Sequence, residues 1–268
     1  RGLGDVYKRQ GLHISIGSVY AWSVLTRPIM ADMGFTLSQT TWTFSLAILM
    51  LGLSAGFLGS FAEKIGPKKS GLLAMLFWVT GLFGTAYALS IHNLTLLYLF
   101  YGIIGGIGLG IGYITPVSTL VKYFPNRPGF ATGLAIMGFG FASLIAGPLM
   151  QYLVAQVGLV DNFIILGIIY LVVMGASSLY LKAPQQKHLT RTTKDKSTMY
   201  VHTHGMLAND AMKTWQFSAL WWIFFVNITC GIGLLSLASP MAQEAIGMTP
   251  TAAASLVGII GIFNGCLL

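Results

Sequence analysis

Hydrophobic residues in this chain neither alternate nor keep to one helical stripe; they come in unbroken blocks separated by short polar punctuation. Eight apolar runs lie at about 11 to 30, 39 to 61, 71 to 90, 95 to 121, 131 to 155, 162 to 181, 215 to 236 and 250 to 268. A helix of about 20 such residues crosses the hydrocarbon of a bilayer. From the second run onward none contains Asp, Glu, Lys or Arg, as expected where a charge at the helix centre costs roughly 3 kcal/mol. Outer-membrane strands would alternate polar and apolar positions over about ten residues, and these runs do not. The pattern predicts an all-α polytopic membrane protein.

Composition agrees. Hydrophobic residues make up 55% of the 268 positions and charged residues 8%, against roughly 25% charge in soluble domains. The 33 glycines and 12% aromatics, without Gly-X-Y periodicity, exclude collagen-like and disordered classes. Cys230 and Cys266 both lie in apolar runs, which excludes a disulfide framework. The net charge of +8 could suit nucleic acid, but 14 of the 15 cations fall on the side of the first terminus and the even-numbered loops, leaving Arg27 opposite. By the positive-inside rule that side is cytoplasmic, in the cell's inner (plasma) membrane. Topology therefore accounts for the basicity; the lipid bilayer is the expected partner and nucleic acid is not.

Residues 1–10 are polar and lack an initiating Met, and the uncharged stretch Gly11 to Thr26 behind them is short for a span. They are expected to be a non-native scar, and the last run, which ends at Leu268 without a polar stop, is expected to belong to a fragment. Residues 11–181 form a predicted six-helix bundle. Residues 182–213, with eight charges, read as a cytoplasmic linker, and 214–268 begin a second, truncated bundle. A faint repeat links the halves: Pro28 then Gly34-Phe35-Thr36, and Pro240 then Gly247-Met248-Thr249, offset by about 213 residues.

The sharpest local pattern is the loop after the second run, Gly59-Ser60-Phe61-Ala62-Glu63-Lys64-Ile65-Gly66-Pro67-Lys68-Lys69. Gly66 and Pro67 suit a tight turn, Lys64 and Lys68 hold it in the cytoplasm, and Gly59 is expected to let another helix approach closely. Glu63 reads either as a solvated loop residue or as an acceptor for a neighbouring helix N-terminus or cation that latches the inner face shut. In the fourth run Gly102, Gly106 and Gly110 recur every four residues, as do Gly108 and Gly112, predicting close packing, on which helices could also rock. Gly147-Pro148 in the fifth run predicts a kink, and the fourth carries Thr115-Pro116.

That loop resembles the signature loop between helices 2 and 3 of the major facilitator superfamily, with Glu63 and Lys64 where Asp and Arg are usual. Gly17-Ser18-Val19-Tyr20-Ala21-Trp22-Ser23-Val24, Lys122-Tyr123-Phe124-Pro125-Asn126-Arg127-Pro128-Gly129-Phe130-Ala131-Thr132-Gly133 and Ala238-Ser239-Pro240-Met241-Ala242-Gln243-Glu244 are similar to segments of the oxalate/formate antiporter family. The resemblance implies a major-facilitator-like fold of twelve helices, of which this chain would hold the first bundle and the first two helices of the second, acting as a monomer when full-length.

Tyr20 and Trp22 in run 1, Tyr113 in run 4 and Phe139 in run 5 fall near mid-membrane, where transporter sites sit between repeats. Aromatics there are commonly core or lipid-facing; the resemblance implies that Tyr20, Tyr113 and Phe139 wall a carboxylate site, and Trp22 is taken with them as a candidate. Ring edges would hold a small planar anion. The countercharge is not found in runs 2 to 8; the resemblance implies cations on helices 8 and 11.

The remaining polar residues read as structural. His202 and His204 lie in the linker and make no closed metal site. His13 begins the first run at the interface and His92 lies in an outer turn, neither with a nearby carboxylate or Cys; Asn93-Leu94-Thr95 sits close to the membrane, and Trp215, Trp221 and Trp222 read as anchors. A membrane-embedded enzyme would need a nucleophile with its base or paired acids at membrane depth, and a channel a filter loop; neither pattern is present. The expected function is secondary transport of small organic anions, with no metal or cofactor implied. Oxalate/formate exchange and proton-coupled transport of lactate-like monocarboxylates both remain open.

Overall fold

The structure is a computed structural model that describes residues 11–124, 127–181 and 208–267. The scar assigned to 1–10, the linker as far as 207 with His202 and His204, and residue 268 lie outside the described residues.

Eight helices follow the eight apolar runs. The first, α1 (11–33), is helical over 11–17, tightens to a 3-10 turn at Ser18–Ala21 and resumes as Trp22–Met33. Then come α2 (Leu37–Ile65), α3 (Pro67–Ser90), α4 (Leu94–Tyr123, with a π-helical stretch at Tyr98–Gly105), α5 (Pro128–Val157), α6 (Leu159–Tyr180), α7 (Trp215–Ala245) and α8 (Pro250–Leu267). Six of them, α2 to α7, are long and apolar enough to cross a membrane. α1 is broken by its 3-10 turn, and α8 is a shorter apolar helix.

The turns follow local chemistry. Gly34 ends α1 at φ 68° and Gly66 separates α2 from α3 at φ 84°, backbone that glycine adopts without a Cβ clash. Thr36 caps α2 by accepting from the Gln39 N–H, while the Gln39 side chain accepts from the Thr36 N–H. The second half repeats the device. Gly247 turns at φ 70°, and the Thr249 hydroxyl accepts from the Ala252 N–H at the start of α8. Pro28 lies inside α1 as Pro240 lies inside α7.

The described residues form two compact units. The larger holds everything up to 181 together with Ser236 onward; the smaller contains the first part of α7. In the smaller unit Trp221 stacks on Phe225 with ring centroids 5.0 Å apart and meets Trp222 edge to face. These rings, like Trp215, are exposed.

Within the larger unit, glycines set the helix spacing. Methyl groups at Gly102 and Gly106 would lie 2.9 Å from Leu46 Cβ and 2.6 Å from Met50 Cβ, and Gly110 abuts Ser54, so the three seat α4 on α2. Gly108 presses on Trp78 of α3, and Gly112 meets Ile16 of α1. α4 is therefore smooth on more than one side. Gly147 of α5 backs onto the Ala254 carbonyl of α8, where a methyl would sit at 2.9 Å; Gly258 and Gly261 reciprocate against Leu144 and Gly140. Pro148 lies inside α5 and withholds an N–H from the Leu144 carbonyl, in the turn that Gly258 touches. The pair thus does more than kink α5: it borders a backbone-to-backbone seam with α8.

Candidate functional site

Gly17 positions the site. A Cβ there would collide with the Phe139 carbonyl and lie 2.7 Å from Ala142 Cβ, so α1 touches α5 backbone to backbone. The 3-10 turn that follows carries Tyr20 over Phe139, with centroids 4.7 Å apart and planes at 83°. From α4, Tyr113 meets Phe139 at 5.7 Å and 88°. Three of the four predicted aromatics, Tyr20, Tyr113 and Phe139, therefore form one edge-to-face group across α1, α4 and α5. Phe139 is buried, and the two tyrosines are partly exposed. Such a group turns electropositive ring edges and a phenol toward whatever occupies the space beside it.

Trp22 does not join them. It is fully buried, with its ring 4.3 Å from Tyr101, which also meets Trp78 and Phe163. Two residues along a helix turn the side chain to the far side, so Tyr20 and Trp22 serve opposite faces of α1. Trp22 belongs to an aromatic core shared with α3, α4 and α6.

His13 was missed from sequence. It is 1% exposed rather than interfacial, its ring 5.9 Å from Tyr113 and 6.4 Å from Phe139. Its Nε2 lies 3.1 Å from the Tyr113 carbonyl oxygen.

At the end of the bundle that carries the even-numbered loops, Lys122 Nζ stands 3.2 Å from Glu63 Oε1. The pair ties the foot of α2 to the foot of α4, beside a cavity of about 100 Å³ lined by Gly66, Thr115, Ser118 and Thr119. Glu63 thus meets a cation, one of the two kinds of partner its functional reading allowed. Because Lys122 belongs to the same half, the contact braces that half internally instead of closing a passage between halves. Lys64 and Lys68 are exposed. Gly59 is corrected: a methyl there would lie 3.7 Å from Ile114, an ordinary contact, so close approach does not require this glycine.

At the opposite end Arg27 donates from Nη1 to Gln243 Oε1 at 3.1 Å, with Glu244 Oε1 3.9 Å from its Nε. Arg27, the one Lys or Arg at that end among the described residues, therefore joins α1 to the end of α7. His92, expected to lack a carboxylate neighbour, has Asp32 Oδ2 3.8 Å from its Nε2; the two turns they occupy are adjacent in space but distant in sequence.

Apolar helices packed through glycine, with an aromatic group where three of them meet and charged contacts at their ends, define a multi-pass membrane protein. The chain belongs to the Major Facilitator Superfamily, whose family model matches residues 12–268. It is 31% identical over 252 residues to the uncharacterized MFS-type transporter YhjX of Escherichia coli (strain K12), covering 93% of this chain and 60% of that protein. It is 25% identical over 250 residues to the oxalate:formate antiporter of Oxalobacter formigenes, covering 93% of this chain and 57% of that protein. The chain thus spans somewhat over half the length of these relatives. Among solved structures, a D-xylose-proton symporter shares the fold with a TM-score of 0.61 at 15% identity, over 97% of this chain and 65% of that one.

Proposed function

We propose that the full-length protein is a secondary active transporter that moves small carboxylates, such as oxalate and formate, by alternating access. The observation that carries this reading is the meeting of Tyr20, Tyr113 and Phe139 from three helices in a single edge-to-face group. Flat rings with electropositive edges suit a small planar anion, and their bulk excludes water, so charge interactions in the site are strengthened. The likeness to the oxalate:formate antiporter supports the substrate class. The main countercharge is assigned, by resemblance, to helices 8 and 11. The cation distribution supports a cytoplasmic N-terminus in the plasma membrane.

The seam at Gly147, Gly258 and Gly261 holds α8 close against α5, while Arg27 with Gln243 and Glu244 holds one end of the passage closed. The test is exchange by the full-length protein in proteoliposomes loaded with oxalate. Saturable uptake of labelled oxalate or formate that needs internal carboxylate supports the reading, and a panel of short carboxylates without saturable flux rejects it.

A further inference from the structure

From α1, His13 reaches both of the other helices that meet at the ring group. It is buried, with its ring tilted at 46° to Tyr113 of α4 and edge-on, at 84°, to Phe139 of α5. Gly17 follows one helical turn later, and Tyr20 three residues beyond, across the 3-10 turn in which such positions eclipse. α1 therefore meets Phe139 along one line. The His13 ring lies against the Phe139 ring, Gly17 against its carbonyl, and the Tyr20 ring against the Phe139 ring again.

The hydrogen bond of His13 fixes its chemistry. A carbonyl can only accept, so the Nε2 atom 3.1 Å from the Tyr113 carbonyl oxygen carries the proton. Among the described residues no carboxylate pairs with His13, and a buried imidazole without one stays neutral. The neutral ring has one N–H, and α4 takes it. One bond and two ring contacts then fix both its place and its direction.

Packing alone does not call for this residue. Leu12 and Ile16 fill neighbouring buried positions of α1 with apolar atoms, and a leucine at 13 would do the same without desolvating two ring nitrogens. What the imidazole adds is a directed tie to the backbone of α4. Tyr20 and Tyr113 are partly exposed, so the buried side of the group is where its rings can be held.

We propose that His13 is a positioning residue of the ring group: as a neutral imidazole it ties Tyr113 to α1 and backs Phe139, and so sets the spacing of the rings that face a carboxylate. The inference rests on the carboxylate reading of that group. His13 neither touches the anion nor exchanges a proton with it.

The test is exchange kinetics of labelled oxalate and formate by the full-length protein in proteoliposomes, with melting temperatures measured alongside, for the wild type, His13→Gln, His13→Leu and His13→Met. Gln keeps an N–H for the Tyr113 carbonyl, whereas Leu and Met fill the space without one. We expect KM to rise about tenfold in the Leu and Met variants and about twofold in Gln, with kcat and melting temperature nearly unchanged. An unchanged KM in the apolar variants, or an equal rise in all three, overturns the inference and leaves the carboxylate reading standing. Failure of the apolar variants to fold assigns His13 to stability and likewise overturns it. If the wild type shows no saturable exchange of either anion, the carboxylate reading falls and this inference with it.

Discussion

The Phe139 carbonyl lies where a side chain on Gly17 would have to go, and this single contact fixes the height at which α1 meets α5. Gly17→Ala must push the helices apart or bend one of them, at a cost of about 1–3 kcal/mol for an overpacked site. A lower melting temperature in detergent, together with loss of transport, is the expected outcome. Unchanged stability would mean that the two backbones are not in contact.

The ring group predicts a split between Tyr20 variants. Tyr20→Phe keeps the edge-to-face contact with Phe139, whereas Tyr20→Ala forfeits an aromatic pair worth about 0.5–1.5 kcal/mol, or roughly two- to tenfold in substrate affinity. Uptake kinetics should show the loss in KM for the alanine variant and a much smaller change for phenylalanine. Equal losses would assign the effect to the hydroxyl.

Trp22 predicts the opposite signature. Its ring is fully buried against Tyr101, so Trp22→Ala opens a core cavity at a cost of about 3–5 kcal/mol. Folded yield should collapse while the surviving protein keeps its KM. A selective rise in KM at normal yield would return Trp22 to the site.

Glu63 and Lys122 are half exposed, at 46% and 51%, so their pairing contributes only about 0.2–1 kcal/mol. Glu63→Gln should cost little stability, and the swapped pair Glu63→Lys with Lys122→Glu should recover what either single change loses. A double-mutant cycle on melting temperature measures this coupling. If the two changes are strictly additive, the residues do not interact.

Arg27→Gln removes the charged contact with the end of α7. In full-length protein carrying single cysteines near 30 and 246, the variant should raise labelling by a membrane-impermeant reagent at that end of the passage. A rate equal to that of the parent would show that Arg27 holds nothing closed.

Much of this was readable from sequence for definite physical reasons. Lipid tolerates no charge at depth, so the helices announced themselves as uncharged runs, and the turns at Gly34 and Gly247 were visible because only glycine suits a positive φ followed by a threonine cap. Tyr20, Tyr113 and Phe139 were named through resemblance, and the fourth candidate, Trp22, points elsewhere. Tyr20 and Trp22 are two residues apart, and a 3-10 turn between them had no sequence signal strong enough to settle their directions. His13 was hidden because its partner is the backbone carbonyl of Tyr113, which no side-chain pattern encodes. The pairing of Asp32 with His92 likewise depends on the end of α1 and the turn after α3, which only the fold brings together.

The seam between α5 and α8 is toothed as well as close. The Ser143 side chain of α5 sits in the hollow left by Gly261 and Leu144 lies against Gly258, so α8 is keyed to one height along α5. Larger residues at either glycine would unseat the key, and the register of the two helices would be lost before their hydrophobic contact was.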